Sequence, residues 1–138
     1  MHFEKLTFRS VEVRAVSVPL RRPVVSKAGL FEQWPIILID LHTEEGITGR
    51  AYLEPYLKNA ARYLVPAIED LAAARVGKAI HPVEDFQTMH RSLNLVGYEG
   101  MSMIAVSGLD KAAWDALAKA ANMPLANYLG GSLGSVRA

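Results

Sequence analysis

The spacing of apolar residues changes once along this chain, at Pro55, and that change limits the fold more than any other feature. Before Pro55, apolar residues alternate with polar ones or run together in short β-branched stretches, whereas after it they recur every three or four positions. The first period is typical of strands and the second of amphipathic helices. Because the strands precede the helices, the sequence predicts an α+β fold, with a three-stranded antiparallel sheet followed by a helical bundle.

Three segments carry the strand pattern. Val11–Leu20 alternates, and Pro19 ends this strand or confines it to a sheet edge. Pro35–Thr43 is almost continuously apolar, and Gly46–Leu53 follows it after a short turn in which Gly46 can adopt a positive φ. The last two segments are therefore predicted to form a hairpin.

Three segments carry the helical pattern. The first is Tyr56–Ala73, in which Pro66 predicts a kink or a break. The second is His81–Asn94, and the third and longest is Met101–Asn122, which Pro124 prevents from continuing. Small residues on the buried side of the third helix are expected to let its neighbours approach closely.

Composition indicates one domain with a real core. Apolar residues make up 51% of the 138 residues and charged residues only 21%. The formal charge of +1 provides no field that would gather nucleic acid or an anionic membrane, so neither is an expected partner. The chain has no cysteine, no signal-peptide pattern near its start and no apolar run long enough to span a membrane, which predicts a cytoplasmic protein.

The sequence contains no recognisable catalytic motif. Its glycines form neither of the common phosphate-binding loops, and its serines occur in no nucleophile elbow. The four histidines are not spaced as metal ligands, so no metal site is predicted, and His90 is expected to pack its ring against a helix face. The spacing of Asp110 and Asp115 also argues against a carboxylate pair that works as acid and base.

Charged residues on the longest helix favour a structural interpretation. Lys111, Asp115 and Lys119 are spaced four apart, which predicts a solvated face with weak salt bridges. Trp114 is expected to pack between helices, and Asp110 is expected to cap or bridge rather than to catalyse.

Several segments resemble one protein family. Ala105–Gly131, "AVSGLDKAAWDALAKAANMPLANYLGG", resembles the signature that closes the N-terminal domain of the enolase superfamily. Four further segments resemble, in the same order, segments of its mandelate racemase-like members: Arg14–Val24, Ile37–Gly49, Ala51–Tyr56 and Leu95–Gly100. The chain is therefore identified as a member of the mandelate racemase and muconate lactonizing enzyme group, nearest to the racemases.

The resemblance implies two domains with separate roles. Residues 1–130 would form the capping domain, and residues 131–138 would begin the connection to a (β/α) barrel that this chain lacks. In the family the barrel carries the bases and the Mg²⁺ ligands, so no catalytic residue and no metal ligand is assigned here, and Mg²⁺ is expected only in the full-length enzyme. The implied partners are a small carboxylate substrate, the barrel and further copies of the same protein.

The implied reaction is abstraction of the α-proton of a 2-hydroxy carboxylate, followed by racemisation. Two alternatives remain. One is dehydration of an acid sugar within the same superfamily, and the other is a free-standing α+β interaction domain that works through its surface rather than through chemistry.

The resemblance also implies two mobile loops that close over the barrel, Arg22–Trp34 and Ala51–Lys58. Val24 and Tyr56 match positions that face the aromatic group of the substrate in racemases, although the first could be a packing residue and the second an interface anchor. Glu54 would place a charge near the pocket, which suits a hydroxylated substrate better than a phenyl ring. The expected substrate-capping residues are Val24, Val25, Leu30, Glu54 and Tyr56.

Overall fold

A single antiparallel sheet forms one layer of the molecule. The structure, a computed structural model, describes residues 5–137. Residues 1–4 of the predicted capping domain and residue 138 of the predicted connection lie outside the described residues. The strand order is β1–β2–β3, which places β1 at an edge and confirms the prediction of a three-stranded antiparallel sheet. The strands are β1 (Phe8–Ser26), β2 (Gly29–Thr43) and β3 (Thr48–Leu53).

Helices form the second layer, and the predicted α+β class is confirmed. After a turn of 3₁₀ helix come α1 (Ala61–Ala73), α2 (Pro82–Ser92) and α3 (Met101–Ala120), close to the predicted spans, and then a short α4 (Leu125–Tyr128). The sequence did not predict α4, because a single turn is too short to show a period. Pro124 stops α3 and also starts α4, since its fixed φ suits a helix start.

The core lies between β2 and α3. Alternate residues of β2 (Ile37, Ile39 and Leu41) are at most 1% exposed and belong to one buried cluster with residues of α3. This alternation follows from the pleat of the strand, which turns every second side chain toward the helices.

Small residues let β3 and α3 approach each other closely, as the sequence predicted. A Cβ atom added at Gly49 would lie 2.0 Å from the carbonyl oxygen of Ala112 and 2.8 Å from the Cβ of Ala116. Gly108 of α3 is confined by side chains instead, because a Cβ there would lie 2.5 Å from Cδ1 of Ile39. A larger side chain at Gly49 would therefore push the backbone of α3 away from the sheet.

Pro66 does not break the first helix. The sequence predicted a kink or a break at this residue, and helix α1 runs through it from Ala61 to Ala73, so a break does not occur. Pro66 is exposed, and water can therefore satisfy the carbonyl group that the missing N–H leaves without an intrahelical donor.

Candidate functional site

The first predicted loop, Arg22–Trp34, is a β-hairpin in the structure, which corrects the sequence analysis. Strands β1 and β2 continue beyond the sheet as a two-stranded ribbon, in which Val24 lies opposite Phe31 and Val25 lies opposite Leu30. The hairpin tip is thus held by backbone pairing, and it presents apolar side chains to solvent.

Two local features explain this hairpin. The pairing register shifts between Pro19 and Val24, where extra residues in β1 hide the alternation that would have predicted a strand. At the turn, the Oγ of Ser26 accepts a hydrogen bond from the backbone N–H of Ala28 (3.1 Å), and Gly29 takes a φ of +138°. A non-glycine residue would rarely adopt this φ.

The second predicted loop, Ala51–Lys58, is the exit from β3. Strand β3 ends at Leu53, and the backbone N–H of Leu57 then donates to the carbonyl oxygen of Pro55 at 2.6 Å. Tyr56, between them, has a φ of +61°, so the three residues form a γ-turn with a strained centre. This turn leaves the Tyr56 side chain 60% exposed.

Trp34 joins the hairpin to the exit from β3. Its indole Nε1–H donates to the carboxylate of Glu54 at 3.3 Å, and its ring meets the edge of the Tyr56 ring at a centroid distance of 6.5 Å. Phe31 also packs edge-to-face with Trp34, at a centroid distance of 5.8 Å. We call these four residues, Phe31, Trp34, Glu54 and Tyr56, the lip cluster.

The predicted capping residues fall into two groups. Glu54 and Tyr56 belong to the lip cluster, where Trp34 brings them together. Val25 and Leu30 pair at the hairpin tip, where they are 80% and 62% exposed, and Val24 lies beside them. All five residues are accessible at one end of the sheet, yet their contact with a substrate remains a prediction.

Trp34 is the residue that sequence reasoning missed. It marked the end of the first predicted loop but was not named among the capping residues. The available signal was a pair of aromatic residues, Phe31 and Trp34, just before the predicted strand Pro35–Thr43, with the charged Glu54 just after the next predicted strand. Sequence spacing alone could not place Trp34 next to Glu54, because twenty residues and a turn separate them.

The charged face of α3 binds the sheet rather than solvent alone. The carboxylate of Asp115 pairs with Lys119 at 2.6 Å, as predicted, and also accepts the backbone N–H of Arg50 at 2.7 Å. The predicted pair of Lys111 with Asp115 does not form. Lys111 donates instead to the carbonyl oxygen of Tyr52 at 2.8 Å. These bonds fix the edge strand β3 to α3, just before the lip cluster.

The described residues do not fit a Mg²⁺ site. Within residues 5–137, no group of three or more His, Asp or Glu side chains could hold a metal ion. Instead, Nδ1 of His42 hydrogen-bonds to the hydroxyl of Thr48 at 3.1 Å, and the ring of His90 packs between Phe86 and Tyr98, as expected of a packing residue. Across the same residues, no helix is long and apolar enough to cross a membrane.

Trp114 packs between α3 and α4, as predicted. Its ring meets that of Tyr128 edge-to-face at 6.2 Å, and both rings line a cavity of about 550 Å³. Burial raises the pKa of the nearby Asp110 carboxyl group above its usual value, although the Trp114 side chain opposes this shift. The role expected of Asp110, to cap or bridge rather than to catalyse, stays a prediction.

A family comparison agrees with this architecture. The sequence model of the mandelate racemase / muconate lactonizing enzyme N-terminal domain matches residues 8–130. The chain belongs to this family of the enolase superfamily.

Solved structures of similar sequence share the fold. An enolase from alpha proteobacterium BAL199, solved with bound magnesium, is 53% identical and superposes with a TM-score of 0.92 over 96% of this chain and 37% of its own. An enolase from Bradyrhizobium, complexed with magnesium and mandelic acid, is 38% identical with a TM-score of 0.88 over 94% of this chain and 36% of its own.

One of the curated relatives is a dehydratase. D-galactonate dehydratase from Xanthomonas campestris pv. campestris is 36% identical over 96 residues, which is 69% of this chain but 24% of the relative. The chain therefore spans about a quarter of the length of this relative, and its similarity to whole enzymes lies in their N-terminal domain.

Proposed function

We propose that this chain is the capping and substrate-specificity domain of an enzyme that abstracts the α-proton of a 2-hydroxy carboxylate. The lip cluster is the observation that carries the proposal, because it joins both predicted loops into one accessible surface of aromatic groups with a single carboxylate. Such a surface suits the wall of a pocket that a second domain completes. The catalytic barrel and its Mg²⁺ site would lie outside this chain, and residues 131–138 would begin the connection to the barrel.

The chemistry explains why a cap is needed. A proton next to a carboxylate is very weakly acidic, so the negative charge that develops when it is removed must be stabilised as it forms. Enclosure by a cap excludes water and strengthens those electrostatic interactions. The hairpin tip, with Val24, Val25 and Leu30, and the lip cluster would provide this enclosure.

Racemisation is the first candidate reaction. Here the proton returns to the opposite face of the α-carbon, so that no other bond changes. The aromatic rings of Phe31, Trp34 and Tyr56 favour it, because they could contact an aryl group on the substrate. The similar enolase that is complexed with mandelic acid also supports this candidate.

Dehydration of an acid sugar is the second candidate and has comparable support. In this reaction the β-hydroxyl leaves as water after the α-proton has been removed, and the resulting enol becomes a 2-keto-3-deoxy acid. Glu54 favours it, because one carboxylate oxygen accepts from Trp34 and the other could accept from a sugar hydroxyl. The similarity to D-galactonate dehydratase points the same way.

The full gene product tests these candidates directly. Incubated with Mg²⁺ in D₂O, it should exchange the α-proton of mandelate and interconvert the enantiomers if it is a racemase. It should instead release a 2-keto-3-deoxy acid from D-galactonate or a related sugar acid if it is a dehydratase. Val83→Ala, on the exposed face of α2, provides a matched control variant that should leave either activity unchanged.

Failure would also be informative. Absence of exchange and of dehydration across a panel of 2-hydroxy and sugar acids would overturn the enzymatic proposal. The free-standing interaction domain, which works through its surface, would then be the alternative to pursue. Assembly into a homo-oligomer and a cytoplasmic location belong to the same proposal, and light scattering and cell fractionation of the gene product test them.

A further inference from the structure

The part of the β1–β2 hairpin that extends beyond the sheet, residues 19–33, carries an excess of positive charge. Arg21, Arg22 and Lys27 are cationic and Glu32 is acidic, so the net charge of this segment is +2. The whole chain has a net charge of only +1, which leaves −1 for the rest of it. We call residues 19–33 the cationic hairpin.

The three cations of this hairpin are exposed and have no carboxylate partner. Among the ion pairs of residues 5–137, none involves these three side chains. The arginines on the sheet itself behave differently, because Arg14 and Arg50 both pair with Asp40, at 2.7 and 3.2 Å. The positive charge of the sheet is therefore neutralised locally, whereas that of the cationic hairpin is not.

Two further cations lie at the base of the cationic hairpin. Lys58 and Arg62 line one groove together with Ser17 and Pro35, which are paired on β1 and β2 just before the hairpin leaves the sheet. Both cations are exposed, and neither belongs to an ion pair in the described part of the chain. Lys58 also belongs to the second predicted capping loop.

Positive charge therefore predominates on both segments that are expected to close over a substrate. Residues 19–33 and 54–62 together contain five cations and two carboxylates, Glu32 and Glu54, which gives a net charge of +3. The remainder of the chain has a net charge of −2. The domain thus has a cationic end, and this end carries the lip cluster.

We propose that the cationic hairpin, with Lys58 and Arg62, acts as an electrostatic guide that concentrates the anionic substrate at the capping surface. Unpaired charges of one sign around a cleft raise the local concentration of a ligand of the opposite sign. The inference rests on the proposed function, because that function brings a carboxylate substrate to this end of the domain. No direct contact between these cations and the substrate is required, since the attraction acts over about one Debye length.

The same charges have a structural alternative. Lysine and arginine beside exposed apolar strands oppose edge-to-edge association, and the hairpin tip exposes Val25 and Leu30. That role alone predicts aggregation when the charges are removed, with no change in KM. The position of Arg62 favours the guide, because this residue lies on helix α1, which has no strand edge to protect.

Kinetics of the full gene product at varied ionic strength test the proposal. The measured quantity is KM for the acid that the enzyme converts, at saturating Mg²⁺. Between about 30 mM and about 1 M salt the Debye length shrinks from about 18 Å to about 3 Å, so wild-type KM should rise with salt. The triple variant Arg21→Gln, Arg22→Gln, Lys27→Gln should have a KM about threefold higher than the wild type at the lower salt concentration and an equal KM at the higher one, with kcat unchanged.

A matched control removes three positive charges from the opposite end of the domain. Lys5, Arg9 and Lys78 are exposed, and the carbonyl oxygen of Lys78 accepts the N–H of Phe8 at the start of β1. This position is about 40 Å along the strand from the cationic hairpin, far beyond a Debye length. Lys5→Gln, Arg9→Gln, Lys78→Gln should therefore leave KM and its salt dependence as in the wild type.

The outcomes separate this inference from the proposed function. Turnover with a KM that is the same in the wild type and the hairpin variant at low salt would overturn the guide and leave the proposed function intact. An equal rise in the control variant would also overturn it. If the wild type converts no acid, the proposed function fails and the guide fails with it. If the hairpin variant aggregates, a wild-type KM that does not change with ionic strength would still overturn the guide.

Discussion

The indole Nε1–H of Trp34 donates to the carboxylate of Glu54 at 3.3 Å, and this bond connects the hairpin of β1 and β2 with the exit from β3. Trp34 also meets the Tyr56 ring at a nearly perpendicular angle of 87°. The two segments expected to cap a substrate therefore form one surface. A substitution on one segment alters contacts made by the other.

Trp34→Phe should weaken substrate binding by the full gene product without unfolding it. Phenylalanine keeps an aromatic ring beside Tyr56 but removes the ring N–H that donates to Glu54. Loss of this exposed bond should raise KM up to about tenfold, which corresponds to about 1.4 kcal/mol, with a smaller change in kcat. Steady-state kinetics on the substrate identified above measure this effect, and Val83→Ala is the control. Unchanged KM would show that Glu54 needs no partner.

Leu30→Ala should alter substrate binding but not stability. Leu30 is 62% exposed at the hairpin tip, so its truncation should change the free energy of unfolding by about 0.5 kcal/mol or less. The core variant Ile39→Ala should lose about 2–5 kcal/mol, because Ile39 is only 1% exposed. Denaturant unfolding and KM, measured on the same preparations, separate the two effects. A large stability loss in Leu30→Ala would place this residue in a packed interface instead.

Gly49→Ala should destabilise the domain strongly. The added Cβ would meet the backbone carbonyl of Ala112 at 2.0 Å, and backbone cannot move away as a side-chain tip can. We expect a loss of about 3 kcal/mol, measured as a lower unfolding midpoint. Gly108→Ala should cost less, because its Cβ would meet the flexible side-chain ends of Ile39 and Leu53 and because alanine favours the helix.

Gly134→Ala is the matched control for both glycine variants. A Cβ there has nothing within 4 Å, so stability should change by about 0.5 kcal/mol or less. Equal stability of Gly49→Ala and Gly134→Ala would contradict the close approach of β3 and α3.

Glu45→Gln should lower stability at neutral pH, and the loss should disappear in acid. Burial raises the pKa of Glu45, but hydrogen bonds lower it by more, including one from the backbone N–H of Thr7 at 2.8 Å. The pKa of Glu45 therefore lies below its usual 4.5. The folded state favours the ionised form of Glu45. The resulting stabilisation is therefore present above the pKa that Glu45 has in the unfolded state, and it is lost as the pH falls through the pKa that Glu45 has in the folded state. We expect a difference of about 1 kcal/mol or less.

The measurement is the free energy of unfolding of Glu45→Gln and of Glu44→Gln, from neutral pH down to below the pKa that Glu45 has in the folded state. Glu44 is the exposed neighbour in the same turn, and only its backbone N–H contacts Thr7. A loss that persists below the folded pKa, or an equal loss in Glu44→Gln, would argue against a role for the Glu45 charge.

Sequence patterns predicted the regular elements better than the irregular ones. The helical period predicted α1, α2 and α3, and the β-branched runs predicted the sheet, because burial of one face imposes a repeat on the chain. The hairpin tip was expected as a loop, since the register shift after Pro19 removes that repeat. The break expected at Pro66 did not occur, because packing of α1 on the core outweighs one lost backbone bond.

The sequence by itself determined the fold class, the antiparallel sheet, the small-residue face of α3 and the family, because each depends on local spacing or on motifs in order along the chain. Only the tertiary structure decided that Trp34 meets Glu54 and Tyr56, that Lys111 binds the backbone of β3 and that Lys58 shares a groove with Ser17. These pairs join residues from different elements, and the distance between such residues depends on how the elements pack. Local spacing carries no information about that packing.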